Sequence, residues 1–338
     1  MALPTEGFLL EYAPGRVLIG EGPLEPRGER LAGRLACFAP DFHLGDTSPW
    51  LHPAAVRETT RDGLRRELGR PAPPAARWAE PDFAGYRRVF DDVMRRIASG
   101  SLIKAVPIVL EAGRWDTDPA EATPALVAAA LAAPGPSFVY GAWTAEGGMV
   151  GASPEILFTR AGDCVQTVAI AGTYPAARAN GIHDDPKECR EHQTVVDDIT
   201  GALTPFGAVT VGAREILRLP GLVHLKTDIR VTAAGSTPFA ALVAALHPTA
   251  ALGVLPRSAG LSALRDDGPH RRGRFGAPFG IEWPDGRASV LVAIRNVQWT
   301  GRTLLLGAGA GLVAGSLLES EWAELSLKRA TVKGMLGL

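Results

Sequence analysis

The 338-residue chain is 46% hydrophobic and 21% charged, enough for one large core or two ordinary domains and unlike a disordered protein. Its 35 basic and 36 acidic residues nearly cancel, so no net field draws it to nucleic acid or to a membrane surface. The three cysteines, Cys37, Cys164 and Cys189, are odd in number and form no CxxC pair, which argues against a disulfide framework and for a reducing cytoplasm.

The opening MALPTEGFLLEY has no basic region followed by a long apolar stretch, so no signal peptide is expected. No run reaches the roughly 18 apolar residues of a spanning helix, and the chain reads as soluble. EYAPGRVLIGEGPL reads as short strands with turns, and RPAPPAA (70–76) as a stiff connector. Residues 1–80 are expected to be strands and connector integrated into the fold, with a catalytic domain over 81–338. FAGYRRVFDDVMRRIAS is apolar at helical spacing and stops at Gly100, and LIKAVPIVL reads as one buried strand carrying a lysine. PAEATPALVAAALAA is a second helix, and SFVYGAW and GGMVGASPEILFTR are strands meeting in turns. DPKECREHQTVVDDITGAL is helical, VHLKTDIRV a strand and TPFAALVAAL a helix; ASVLVAIRNVQWTG and RTLLLGAGAGLV are strand-like, and a last helix starts near Leu318. Strands and helices alternate in clusters rather than in strict βαβ order, which predicts an α+β fold.

A few residues suggest chemistry. Lys104, inside an apolar strand, is either an edge residue reaching solvent or a desolvated amine available as a base. Glu155 opens another apolar strand, as a solvated turn residue or as an acid whose proton is held by burial. Glu188 and Glu191 share a helix face, as do Glu321 and Glu324; together they offer oxygen ligands to a hard cation such as Mg²⁺, or salt bridges such as Glu324 with Lys328. Arg295 lies in VLVAIRNV, either to fork onto a carboxylate or to reach water. The GAGAG run at 307–311 lets backbone approach a ligand closely but lacks dinucleotide-fingerprint spacing. The residues alone point to an enzyme for an anionic ligand, with a magnesium site as an option.

Ten segments in order then carry a resemblance: SLIKAV, GASPEILF, AIAGT, KECREH, VHL, LHPTAAL, RGRFGAPFG, VAIRN, AGAGLV and SLLESEWAELSLK. Over roughly 83–338 the chain resembles the chorismate-binding enzymes: anthranilate, aminodeoxychorismate, isochorismate and salicylate synthases. The resemblance implies the anthranilate synthase component I fold, large antiparallel sheets in a sandwich with helices outside. It implies Mg²⁺ between the EH and EWxE helices, with Glu191 and Glu324 as direct ligands and Glu188 and Glu321 acting directly or through waters. Arg295, Lys328 and the Gly309–Gly311 turn would hold the substrate's carboxylates; Gly172, Thr173 and His224 would border its ring.

Three positions indicate which member of the family it is most similar to. Lysine at 104 resembles the water-activating base of isochorismate and salicylate synthases, where ammonia-using relatives carry glutamine. Ala171 stands where many aminodeoxychorismate synthases keep a nucleophilic lysine. Ala251 and Leu252 resemble isochorismate synthases. The implied reaction has Lys104 deprotonating water for attack at C2 of chorismate while Glu155 protonates the departing C4 hydroxyl from the opposite face of the ring. A monomer without a glutaminase partner is implied, with menaquinone synthesis the expected consumer. Departures from the family pattern are Pro107 in the lysine strand, Val254 and Ala277 in place of glycines, and Tyr174 in place of an arginine. Pro107 predicts an edge or bulged strand.

Overall fold

The structure is a computed structural model that describes residues 3–219, 221–233, 237–260 and 272–338. In chain order the strands and helices are β1 (Gly7–Ala13), β2 (Arg16–Glu21), β3 (Glu25–Arg27), β4 (Ala36–Phe38), β5 (Trp50–His52), β6 (Ala55–Thr60), α1 (Arg61–Leu68) and β7 (Ala76–Trp78). Next come α2 (Phe83–Ala98), β8 (Lys104–Ala105), β9 (Ile108–Trp115), α3 (Pro119–Ala132), β10 (Phe138–Trp143), β11 (Gly147–Ser153), β12 (Ile156–Ala161) and β13 (Cys164–Pro175). Then follow α4 (Pro186–Leu203), β14 (Gly207–Leu219), β15 (Leu222–Ala233), α5 (Phe239–Leu246) and β16 (Val254–Leu255). The chain closes with β17 (Pro278–Glu282), β18 (Ala288–Val292), β19 (Asn296–Thr300), β20 (Thr303–Gly309) and α6 (Leu318–Leu336).

Two nine-stranded antiparallel sheets result, ordered β6-β2-β1-β10-β11-β19-β20-β9-β7 and β14-β15-β13-β12-β18-β17-β4-β5-β3, with β16 and β8 as a separate pair. Strands from residues 1–80 join both sheets, so the first segment is woven into the sandwich rather than set beside it. The sheets face each other through Phe8, Leu10, Tyr140, Met149, Phe279 and Ile281. The opposite side of the first sheet is covered by α1, α3 and α6, where Leu9, Val150 and Leu306 meet Leu64, Leu126 and Val332. The second sheet is covered by α4 and α5, where Phe158, Val165 and Val290 join Val195, Ile199 and Leu242. Central strands buried on both sides read as unbroken apolar runs, as Phe8, Leu9 and Leu10 do, rather than alternating.

Three expectations need correcting. LIKAVPIVL is two strands, because Pro107 falls between β8 and β9. Nor is β9 an edge, since it lies between β20 and β7; proline, having no N–H, sits in the break instead. VLVAIRNV is also broken: Arg295 lies between β18 and β19 with φ of 55°, a left-handed conformation that ends the ladder.

Candidate active site

A pocket opens where α4 and α6 cross the ends of β13, β15, β19 and β20. It is lined by Glu155, Gly172, Thr173, Glu191, His224, Ala251, Leu252, Arg295, Gly309, Gly311, Glu324 and Lys328, all expected from the sequence. Lys104, Glu188 and Glu321 lie outside that lining; Lys104 bonds to Glu191 of the lining, while Glu188 and Glu321 share Lys187.

Lys104 is fully buried, and its Nζ donates to Glu191 Oε1 at 2.8 Å. Gly311 leaves room for that pair: a Cβ there would lie 2.2 Å from Glu191 Oε1 and 3.0 Å from Lys104 Cε. The buried Glu191 carboxyl would be raised by desolvation, but Lys104, Lys187 and Lys328 outweigh that and hold it below the usual carboxylate range. Glu155 is 4% exposed, and burial pushes its carboxyl up to about 7 against the pull of Lys104, Thr249, Lys328 and Arg295. The solvated reading of both residues is thereby excluded.

Gly172 has φ of 75° and marks a register shift between β13 and β15. Such a bulge re-aims the next residue, and the Thr173 N–H donates to Glu188 Oε2 at 2.7 Å. Arg295 donates from Nη2 to His224 Nε2 at 2.9 Å, so the imidazole proton sits on Nδ1, 3.2 Å from both Gly172 O and Thr173 Oγ1. Burial, then the Arg295 and Lys328 charges, keep His224 neutral; burial lowers Arg295 itself to about 10, still charged at neutral pH. Lys328 donates to Gly309 O at 2.8 Å and pairs with Glu324 at 2.6 Å. Two fixed cations, Arg295 and Lys328, thus line a largely apolar wall that includes Ala251, Leu252 and Phe275.

Helix α4 starts where Pro186 follows Asp185, whose carboxylate caps the Lys187 and Glu188 N–H groups. On it Glu188 and Glu191 face Glu321 and Glu324 of α6. Burial and neighbouring carboxylates raise Glu188 to about 7 and raise Glu321 as well. Among the described residues no group of three or more His, Cys, Asp or Glu side chains converges as a ready metal site. Lysines sit on the carboxylates instead: Lys187 bridges Glu188 Oε1 at 3.2 Å and Glu321 Oε1 at 3.0 Å, while Lys104 and Lys328 take Glu191 and Glu324. Each of the four carboxylates is thus already partnered by a lysine. Sequence reading passed over Lys187, although a lysine next to Glu188 in an acidic helix start was a visible signal. It also passed over Thr249, whose Oγ1 reaches Glu155 Oε1 at 3.5 Å. Tyr174 bonds through its hydroxyl to Asp185, the residue capping α4.

Among curated proteins, a salicylate biosynthesis isochorismate synthase of Pseudomonas aeruginosa is 37% identical over 198 residues, 55% of this chain and 41% of that one. An isochorismate synthase of Bacillus subtilis is 33% identical over 207 residues, 56% of this chain and 50% of that one. The chain thus spans about half the length of the curated relatives it matches. The solved menaquinone-specific isochorismate synthase of Escherichia coli superposes with a TM-score of 0.84 at 20% identity, covering 99% of this chain and 90% of that one, a likeness of fold. A sequence family described as chorismate binding enzyme matches residues 55–337, starting ahead of the segment where the resemblance was first legible. With the fold, the pocket and this match in agreement, the chain belongs to the chorismate-binding enzyme family.

Proposed function

We propose that the protein is an isochorismate synthase, an isomerase that adds water at C2 of chorismate and expels the C4 hydroxyl. The observation that carries this reading is Glu155: a buried carboxyl with its pKa at about 7, in one pocket with Arg295 and Lys328. At neutral pH a substantial fraction keeps its proton and can donate it to a leaving hydroxyl. Lys104 takes the proton from the attacking water, with its amine held by Glu191 at 2.8 Å. Water enters and, with the C4 hydroxyl protonated by Glu155, water leaves, so the formula is unchanged while one proton passes to Lys104 and one comes from Glu155. Arg295, oriented by its left-handed backbone and by His224, and Lys328, braced on Gly309 O, bind the two carboxylates. Ala171 offers no amine for covalent attack at C2.

Glu188, Glu191, Glu321 and Glu324 would hold a Mg²⁺ ion, which when bound supplies positive charge for the ring carboxylate. Lysine at 104, rather than glutamine, supports water over ammonia, and so a protein acting without a glutaminase; a cytoplasmic monomer feeding menaquinone synthesis completes the proposal. No helix among the described residues is long and apolar enough to cross a membrane.

The test is incubation of the purified protein with chorismate and Mg²⁺, followed by chromatographic resolution of the products. Isochorismate that disappears in Lys104→Ala and Glu155→Gln supports the assignment. Salicylate with pyruvate would make it a salicylate synthase, and anthranilate formed with ammonia would overturn the choice of water.

A further inference from the structure

The loop that follows α5, from His247 to Leu255, touches both ends of the proposed chemistry. Its β16 end pairs with β8, placing Leu255 opposite Lys104, and the Val106 N–H donates to Gly253 O at 3.1 Å. Four residues upstream, Thr249 Oγ1 reaches Glu155 Oε1 at 3.5 Å. Ala251 and Leu252, between those contacts, form part of the pocket wall. Whatever fixes this loop therefore fixes the spacing between acid and base.

Internally the loop is closed by the Leu252 and Gly253 N–H groups on Thr249 O, at 2.9 and 2.8 Å. Its anchor to the rest of the molecule includes Asp198, which lies on α4 seven residues after Glu191, hence two turns along the same face. Asp198 Oδ2 accepts the Ala250 N–H at 3.0 Å. The same carboxylate takes a two-pronged bond from Arg257, Nε to Oδ1 at 2.6 Å and Nη2 to Oδ2 at 2.8 Å. Arg257 Nη1 then reaches Ala245 O, in the last turn of α5, at 2.8 Å. This clasp binds both sides of the loop to the helix whose Glu191 holds Lys104.

We infer that Asp198 is a positioning residue for the reaction: through Ala250 and Arg257 it holds Thr249 against Glu155 and Ala251–Leu252 against the substrate. The inference rests on the isochorismate synthase reading. Asp198 is absent from the pocket lining, and its effect passes through geometry alone. The groups that act on Glu155 are Lys104, Thr249, Lys328 and Arg295, of which the clasp governs Thr249. A hydrogen bond to the ionised carboxylate favours that form, so withdrawing Thr249 raises the pH at which Glu155 loses its proton.

Asp198→Ala and Asp198→Asn, made in the full chain, test this with chorismate and Mg²⁺ across a pH series. The alanine variant should lose about tenfold or more in kcat, with any rise in KM smaller than the fall in kcat, since misplaced catalytic groups cost rate before binding. Its descending pH limb should move upward, and the asparagine variant, which keeps an acceptor for Ala250, should recover most of the rate. Amide hydrogen exchange over residues 249–253, read without substrate, should be faster in the alanine variant. Should that variant fail to fold, Arg257→Met, at a side chain one-third exposed, should show the same changes more weakly. Unchanged exchange overturns the clasp. Faster exchange with kcat and the pH limb intact overturns the positioning role. A wild type that forms no isochorismate refutes the activity reading instead, while exchange still decides the clasp.

Discussion

Glu155→Gln should make the protein more stable as the pH rises, even as it removes the acid. In the folded chain burial lifts this carboxyl from 4.5 to about 7, so between those values the folded state holds a proton that the unfolded chain has released. Stability therefore falls as pH climbs through this window, and the full penalty stands above about 7. At about 1.4 kcal/mol per pH unit, the rise amounts to about 3 kcal/mol. Glutamine keeps the volume and an acceptor for Thr249 but cannot ionise. Urea unfolding of both proteins at intervals from pH 5 to 9 gives the difference directly, and Glu188, raised similarly, titrates in both and largely cancels. The gain for Glu155→Gln should be small near pH 5 and approach about 3 kcal/mol by pH 8 to 9. Turnover should fall by about a hundredfold or more. A stability difference that does not change with pH would refute the claim that Glu155 is a buried acid with a raised pKa.

Gly311→Ala places a Cβ 2.2 Å from Glu191 Oε1, so the Glu191 carboxylate must move from its place beside Lys104. Circular dichroism should stay native while turnover drops by about tenfold or more. Lys187→Met removes the ammonium shared by Glu188 and Glu321, and Mg²⁺ binding at pH 8, read by calorimetry, should tighten several-fold; weaker binding would show that Lys187 helps rather than competes. Wild-type turnover should itself decline above about pH 7, as the Glu155 proton is lost.

Much of the site was legible because its residues break local rules. A lysine in an apolar run, glutamates three apart on two helices and an arginine within a strand pattern each contradict their surroundings, and all lie in one cluster. What the chain could not announce were features set by distant partners. The buried state of Lys104 depends on Glu191, 87 residues away. Arg295 looked like a strand residue because its left-handed backbone leaves the apolar pattern around it intact. β14 escaped notice because it is a largely exposed edge strand with little apolar alternation. The clasp of Asp198 and Arg257 spans 59 residues and carries no periodic signal. The order of the ten motifs, rather than any one of them, connected these parts.

The most direct test of water attack at C2 is oxygen labelling. Turnover of chorismate in ¹⁸O-water, followed by mass spectrometry of the isolated product, should give isochorismate carrying one ¹⁸O at C2. Isochorismate without label would mean that the hydroxyl migrates within the substrate, and would contradict the roles given to Lys104 and Glu155.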